Sequence, residues 1–182
     1  MTDLLQGLNV YLVGMMGTGK TTVGRLIAQH LQYGFLDTDD VITKAAGKTI
    51  NEVFAENGEE AFRNLESDVL SQVCAYTKLA VATGGGIILR RRNWSYLHHG
   101  LVVWLDASID VLYDRLAADT TRPLLQDADP KEKLRTLAAG CQALYSEADL
   151  HITITHDETP EQVAQKIITA IPSVLKSNIS LN

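Results

Sequence analysis

The sequence predicts an α/β fold built on a mainly parallel sheet, and three observations carry that prediction. Five short apolar stretches rich in β-favouring residues begin near residues 8, 35, 79, 101 and 150. Stretches with a helical repeat separate them, the alternation that right-handed crossovers and helices on both faces of a sheet require. The first strand, Leu8 to Val13, runs through a glycine-rich loop straight into a helix, Thr22 to Leu31, whose Val23, Leu26, Ile27 and Leu31 recur at helical spacing.

The loop Gly14-Met15-Met16-Gly17-Thr18-Gly19-Lys20-Thr21-Thr22 fits G-x-x-x-x-G-K-[ST] at every fixed position. Glycines at 14, 17 and 19 let successive backbone N–H groups converge on phosphate oxygens, and the helix that follows presents its unpaired first-turn N–H groups to the same anion. Lys20 is then placed as a point charge on the β- and γ-phosphates, and the Thr21 hydroxyl as a Mg²⁺ ligand. Gly17, Thr18, Gly19, Lys20, Thr21 and Thr22 are therefore the expected nucleotide-binding residues. The alternative, a glycine-rich turn with a chance lysine, does not account for strand, loop and helix standing in the required order.

Next, Phe35-Leu36 reads as a second strand ending in the carboxylates of Asp37-Thr38-Asp39-Asp40, at the sheet end where ligands gather in open α/β folds. A short helix over 41–46 should stop near Gly47. Thr49-Ile50-Asn51-Glu52 has capping-box spacing for another helix, expected to end at Asn57-Gly58. Phe62, Leu65, Val69, Leu70 and Val73 form the apolar stripe of a helix over 59–76, with Arg63 near its start. Leu79 to Thr83 is a buried strand running into Gly84-Gly85-Gly86, a triplet that suits close approach of backbone to ligand or a tight turn.

Arg90-Arg91-Arg92 reads as a solvated face of a short polar segment, and His98-His99 lack a partner at metal-binding spacing. Leu101 to Leu105 is a buried strand, with Asp106-Ala107-Ser108 supplying a helix-start signal and Asp106 read as a cap or turn residue. A helix over 109–118 precedes a loop with two prolines, Pro123 and Pro130, long enough to be a lid spanning about 117–130. A helix over 131–145, an alternating strand over 150–155 and a final helix opened by Pro160 complete the chain.

At 182 residues, 46% hydrophobic and 21% charged, the chain reads as one globular domain, 1–182. A net charge of −6 and a pI near 5.3 provide no basic footprint for nucleic acid. No apolar run approaches the roughly 20 residues of a membrane helix, and the first residues have no signal-peptide pattern, so no membrane partner and a cytoplasmic location are expected. Cys74 and Cys141 have no metal-ligand spacing and form no disulfide framework.

Phosphate binding alone leaves GTPases, motor ATPases and transporters open. There is no Asn-Lys-x-Asp run for guanine and no apolar run ending in Asp-Glu, which favours a small-molecule phosphotransferase. Gly14 to Arg25, Asp37-Thr38-Asp39, Phe62-Arg63-Asn64-Leu65-Glu66, Gly84-Gly85-Gly86 and Arg122-Pro123-Leu124-Leu125 together resemble the shikimate kinases, a nucleoside-monophosphate-kinase-like P-loop family, over almost the whole chain. The resemblance implies a three-layer α/β/α P-loop kinase fold with strand order 2-3-1-4-5 and a lid loop. It also implies ATP and Mg²⁺, and transfer of the ATP γ-phosphate to the shikimate 3-hydroxyl in aromatic amino-acid biosynthesis by a monomer.

By the same resemblance Asp39 orients the hydroxyls and takes the 3-hydroxyl proton, Arg63 binds the carboxylate, and Gly84, Gly85 and Gly86 approach the substrate. Asp37 holds Mg²⁺ through water, Arg122 closes over the transferring phosphates, and Arg115 and Pro160 lie near adenine. These roles suit a substrate that is a carboxylate with vicinal hydroxyls.

One position departs from the family. Where members usually place a second carboxylate-binding arginine, four residues before the Tyr of Leu144-Tyr145, this chain has Cys141, and Arg135 lies nearly two helical turns away. Two other readings stay open on the residues: a non-catalytic nucleotide-binding relative, and a kinase of another small hydroxy acid such as gluconate.

Overall fold

The computed structural model describes residues 4–117 and 128–179, with side chains to 175. Arg122 and most of the expected lid, 118–127, lie outside the described residues. The elements run β1 (Val10–Val13), α1 (Lys20–Leu31), β2 (Gly34–Asp37), α2 (Thr38–Ala46), α3 (Ile50–Val73), β3 (Leu79–Ala82), a 3₁₀ turn (Ile87–Leu89), α4 (Arg91–Leu97), β4 (Leu101–Ala107), α5 (Ile109–Ala117), α6 (Pro130–Tyr145), β5 (Leu150–Ile154) and α7 (Pro160–Ile179).

All strand pairs are parallel, in the order β2-β3-β1-β4-β5. This is the α/β arrangement of a P-loop kinase that the resemblance implied. β1 is buried at every residue and β4 at all but Asp106, the continuous apolar runs of strands covered on both faces. α1 and α7 pack side by side, α1 against β1, β2 and β3 and α7 against β5. α3 packs on α4, and the 3₁₀ turn ties both to α6. The core runs along the sheet through Tyr11, Leu12, Ile27, Leu70, Ile88, Leu97, Leu105 and Leu112.

Local chemistry sets the boundaries. Thr49 and Glu52 form the reciprocal capping box at the start of α3, and Gly58, with φ 80° and ψ 170°, breaks α3 into two helical segments as the Asn57-Gly58 signal predicts. Asp129 caps α6 through the Glu132 N–H, with Pro130 at the first helical position.

Three expectations need correction. α2 starts at Thr38 rather than residue 41, because the Asp37 side chain caps it through the Asp39 N–H at 2.9 Å. Asp106 is a β4 residue whose carboxylate meets His151 Nε2 at 2.8 Å, and the cap of α5 is Ser108, which accepts from the Val111 N–H. The arginine run is not a uniform solvated face: Arg90 is largely covered, donating to Asn64 Oδ1 and the Glu60 carboxylate of α3, while Arg91 is exposed.

Candidate active site

The carboxyl ends of the parallel strands open onto a cavity of about 860 Å³. The loop after β1 lines one part of it, and Asp37, Asp39, Arg63, Glu66, Thr83, Gly85 and Gly86 line another. Arg115, Ile154, Glu158 and Pro160 border the cavity as well, and Leu137 and Cys141 come from α6.

The loop is held open by backbone geometry. Gly14 has φ 149°, and a Cβ there would lie 2.4 Å from the Leu105 carbonyl oxygen, so only glycine lets the loop leave β1 against β4. The Thr18 hydroxyl, buried, donates to the Met15 carbonyl at 2.8 Å and closes the loop on itself. Lys20 Nζ donates to the Gly14 and Met15 carbonyls at 2.8 and 2.9 Å, which curls its ammonium back over the loop. Gly19 precedes α1 with no side-chain cap, leaving the anion-seeking end of that helix to a ligand. Arg115 Nη1 donates to the Gly17 and Thr18 carbonyls at 3.2 and 3.4 Å, placing a second cation beside the loop.

Thr21 and Asp37 meet where α1 faces the end of β2. The Thr21 hydroxyl donates to Asp37 Oδ2 at 2.6 Å, while Oδ1 of the same carboxylate accepts from the Asp39 N–H. One oxygen of Asp37 thus serves the helix cap and the other the Thr21 hydroxyl. A hydroxyl and a carboxylate in contact are hard oxygen donors of the kind Mg²⁺ takes in ones and twos, completing its octahedron with water and phosphate.

The other part of the cavity is assembled from side chains. Arg63 is mostly buried, its side chain 17% exposed, with its guanidinium over the Phe62 and Phe54 rings at 5.4 and 5.8 Å. Nη1 donates to Glu66 Oε2 at 2.5 Å and Nη2 reaches Glu59 at 3.4 Å. The Nε atom is buried and has no hydrogen-bond partner among the described residues. An unmet donor on a buried cation costs about 1–3 kcal/mol.

The glycine triplet makes room for these groups. A Cβ on Gly86 would lie 1.8 Å from Arg63 Nη1, so the guanidinium rests directly on the bare Cα. A Cβ on Gly84 would lie 2.7 Å from Glu66 Oε1 and 2.8 Å from Asp39 Oδ1, which sets both carboxylates against that residue. The Gly84 N–H is taken by the buried Thr38 hydroxyl at 2.9 Å, so Gly84 contributes space rather than a free donor. At Gly85 an added Cβ would meet nothing within 4 Å.

Glu66 had no role in the reading of the sequence. Its side chain is 2% exposed, and burial pushes its carboxyl up, the Arg63 hydrogen bond and charge pull it down, and the nearby Asp39 charge pushes it up again. The available signal was its spacing, three residues after Arg63 on one helix, which puts the two side chains on one face. On α6, Cys141 is half-buried at the cavity wall, and burial pushes its thiol up, so it is a neutral group there. Arg135 is turned outward and pairs with Glu132 at 2.5 Å. Among the described residues no cluster of three or more His, Cys, Asp or Glu side chains is placed to hold a metal, and no helix is long and apolar enough to cross a membrane.

Comparison with known proteins places this geometry. The shikimate kinase family model matches residues 16–172. The shikimate kinase of Trichormus variabilis is 70% identical over 176 residues, 97% of either chain. The shikimate kinase of Acinetobacter baumannii, solved in complex with shikimate, superimposes with a TM-score of 0.86 at 40% identity, covering 93% of this chain and 96% of that one. A gluconokinase from Sinorhizobium meliloti, at 14% identity and a TM-score of 0.57, shares the fold alone. With an intact phosphate loop, an arginine–carboxylate pair and a glycine notch in one cavity, and with relatives of this identity along its whole length, the chain belongs to the shikimate kinase family.

Proposed function

We propose that this chain is a shikimate kinase that transfers the ATP γ-phosphate to the 3-hydroxyl of shikimate, yielding shikimate 3-phosphate and ADP. The observation that carries the reading is the shared cavity: the phosphate loop lines it together with Asp39, Arg63 and the Gly85-Gly86 backbone. The loop amides of Gly17, Thr18, Gly19, Thr21 and Thr22 with Lys20 hold the ATP phosphates, and Arg115 borders the nucleotide. Arg63, a cation lining this part of the cavity, takes the shikimate carboxylate.

Asp39 orients the 3-hydroxyl and accepts its proton as that oxygen attacks the γ-phosphorus and the bond to the ADP oxygen breaks. Thr21 and Asp37 are the residues that would hold Mg²⁺, which neutralises phosphate charge when bound. Lys20 stabilises the charge developing on the transferring group, and Arg122 is assigned the same task by the family pattern. Glu66 holds Arg63 in place.

A coupled ADP-release assay with and without shikimate tests this reading, with gluconate and other polyhydroxy acids as alternative acceptors. Shikimate-dependent turnover well above that with any other acid is expected. ATP binding without shikimate-dependent ADP release would instead support a non-catalytic relative, and preference for gluconate would support the other kinase.

A further inference from the structure

The glycine loop after β3 is fixed at two of its three carbonyls by the residues that follow it directly. The Gly84 carbonyl accepts from the Ile87 N–H and the Gly86 carbonyl from the Leu89 N–H, both at 3.1 Å. The Gly85 carbonyl is reached instead by the Tyr145 hydroxyl, which donates to it from the last residue of α6 at 3.5 Å. The bond from the Ile87 N–H to the Gly84 carbonyl closes a turn whose central peptide is Gly85–Gly86, and a Cβ on Gly85 would meet nothing within 4 Å.

Tyr145 is well suited to hold that peptide. It is 2% exposed, and burial pushes its hydroxyl up, so it remains a protonated donor. Its ring stacks on Trp104 of β4 at 5.5 Å and 15°, and Trp104 stacks in turn with His151 of β5 at 4.0 Å and 9°. A ring confined this way has little freedom to swing, so the hydroxyl keeps one position relative to the sheet.

In a trans peptide the carbonyl and the following N–H lie in one plane and point in opposite directions, so anchoring the Gly85 carbonyl also aims the Gly86 N–H. We propose that Tyr145 is a positioning residue of the acceptor site: anchored on Trp104, its hydroxyl orients the Gly85–Gly86 peptide and so presents the Gly86 N–H to the substrate. The inference rests on the reading of this loop as the acceptor site.

Tyr145→Phe keeps the ring and removes the donor. Loss of one hydrogen bond of about 0.5–1.5 kcal/mol predicts a rise of about two- to tenfold in the KM for shikimate, with kcat and the KM for ATP essentially unchanged. Trp104→Phe, which keeps the hydroxyl and thins the stack, should give a smaller rise in the same constant. An unchanged KM for shikimate in Tyr145→Phe overturns the proposal, and so does a parallel rise in both KM values, which is what general loosening of α6 would produce. Should Tyr145→Phe fail to fold, Trp104→Phe decides by the same split. Wild-type turnover separates the two levels: an active wild type with an unchanged Tyr145→Phe overturns only the positioning role, whereas a wild type without shikimate-dependent turnover overturns the reading of the site and this role with it.

Discussion

Between residues 14 and 22 the donor half of the cavity is one contiguous stretch whose working parts are mostly backbone N–H groups and a helix end, shaped by glycines and closed by Thr18. The acceptor half gathers Asp39 from α2, Arg63 and Glu66 from α3, a glycine notch after β3 and the α6 wall at Leu137 and Cys141, and its working parts are mostly side chains. The difference has a physical consequence. A backbone cradle responds to changes in chain conformation, whereas the acceptor half depends on a balance of buried charge, one guanidinium against the carboxylates of Glu66 and Asp39. Substitutions in the acceptor half should therefore alter shikimate constants while leaving ATP constants alone.

The largest such effect is expected at Asp39. Asp39→Asn keeps the shape and removes the base, and kcat should fall about 10²–10⁴-fold with little change in the KM for ATP. A kcat within threefold of wild type would remove Asp39 from the proton-transfer role. Gly86→Ala comes next, because the added methyl occupies the place of the Arg63 guanidinium. Displacing that charge-assisted clamp should raise the KM for shikimate about 10- to 100-fold, equivalent to about 1.5–3 kcal/mol, with ATP binding by calorimetry unaltered. Weakened ATP binding would mean that the two halves are not independent.

Cys141 tests the same comparison from the opposite wall. Introducing a cation there by Cys141→Arg should lower the KM for shikimate, by up to about tenfold, because the wall now holds a neutral thiol at the position of the family's second clamp. An unchanged or higher KM would sink that placement. The smallest effect concerns pH. The Glu66 carboxyl is raised above its ordinary value of 4.5, so between that value and its folded one the folded chain holds the extra proton. The stability contribution of this group is therefore full below about 4.5 and declines as pH rises through the window, by at most about 1.4 kcal/mol per pH unit. Glu66→Gln should flatten that part of the curve of Tm against pH, and an unchanged slope would contradict the raised carboxyl.

The elements differed in how far they could be read from sequence. The phosphate loop was fully legible because its function is carried by consecutive residues with required neighbours. The break in α3 at Gly58 and the capping box at Thr49 were legible for the same reason. The family resemblance assigned Arg63 and the glycine triplet to the substrate, but not the contact between them, because sequence spacing does not report that a guanidinium lies on the Gly86 Cα. Glu66 was passed over because a charged residue on an amphipathic helix ordinarily faces water. Arg90 was misread as solvated for the converse reason, since its partners Glu60 and Asn64 are brought to it only by the packing of α3.

From the sequence alone came the α/β alternation, the nucleotide loop with Lys20 and Thr21, and the helix break at Gly58. These are properties of local order, set by backbone geometry and hydrophobic period. Tertiary structure alone decided that Glu66 lies buried beside Arg63, that the Gly84 N–H is occupied by Thr38, and that Tyr145, stacked on Trp104, reaches the Gly85 carbonyl 60 residues away. Each of these depends on parallel strands bringing distant loops to one edge of the sheet, where burial makes a single unmet donor or unpaired charge count for kilocalories.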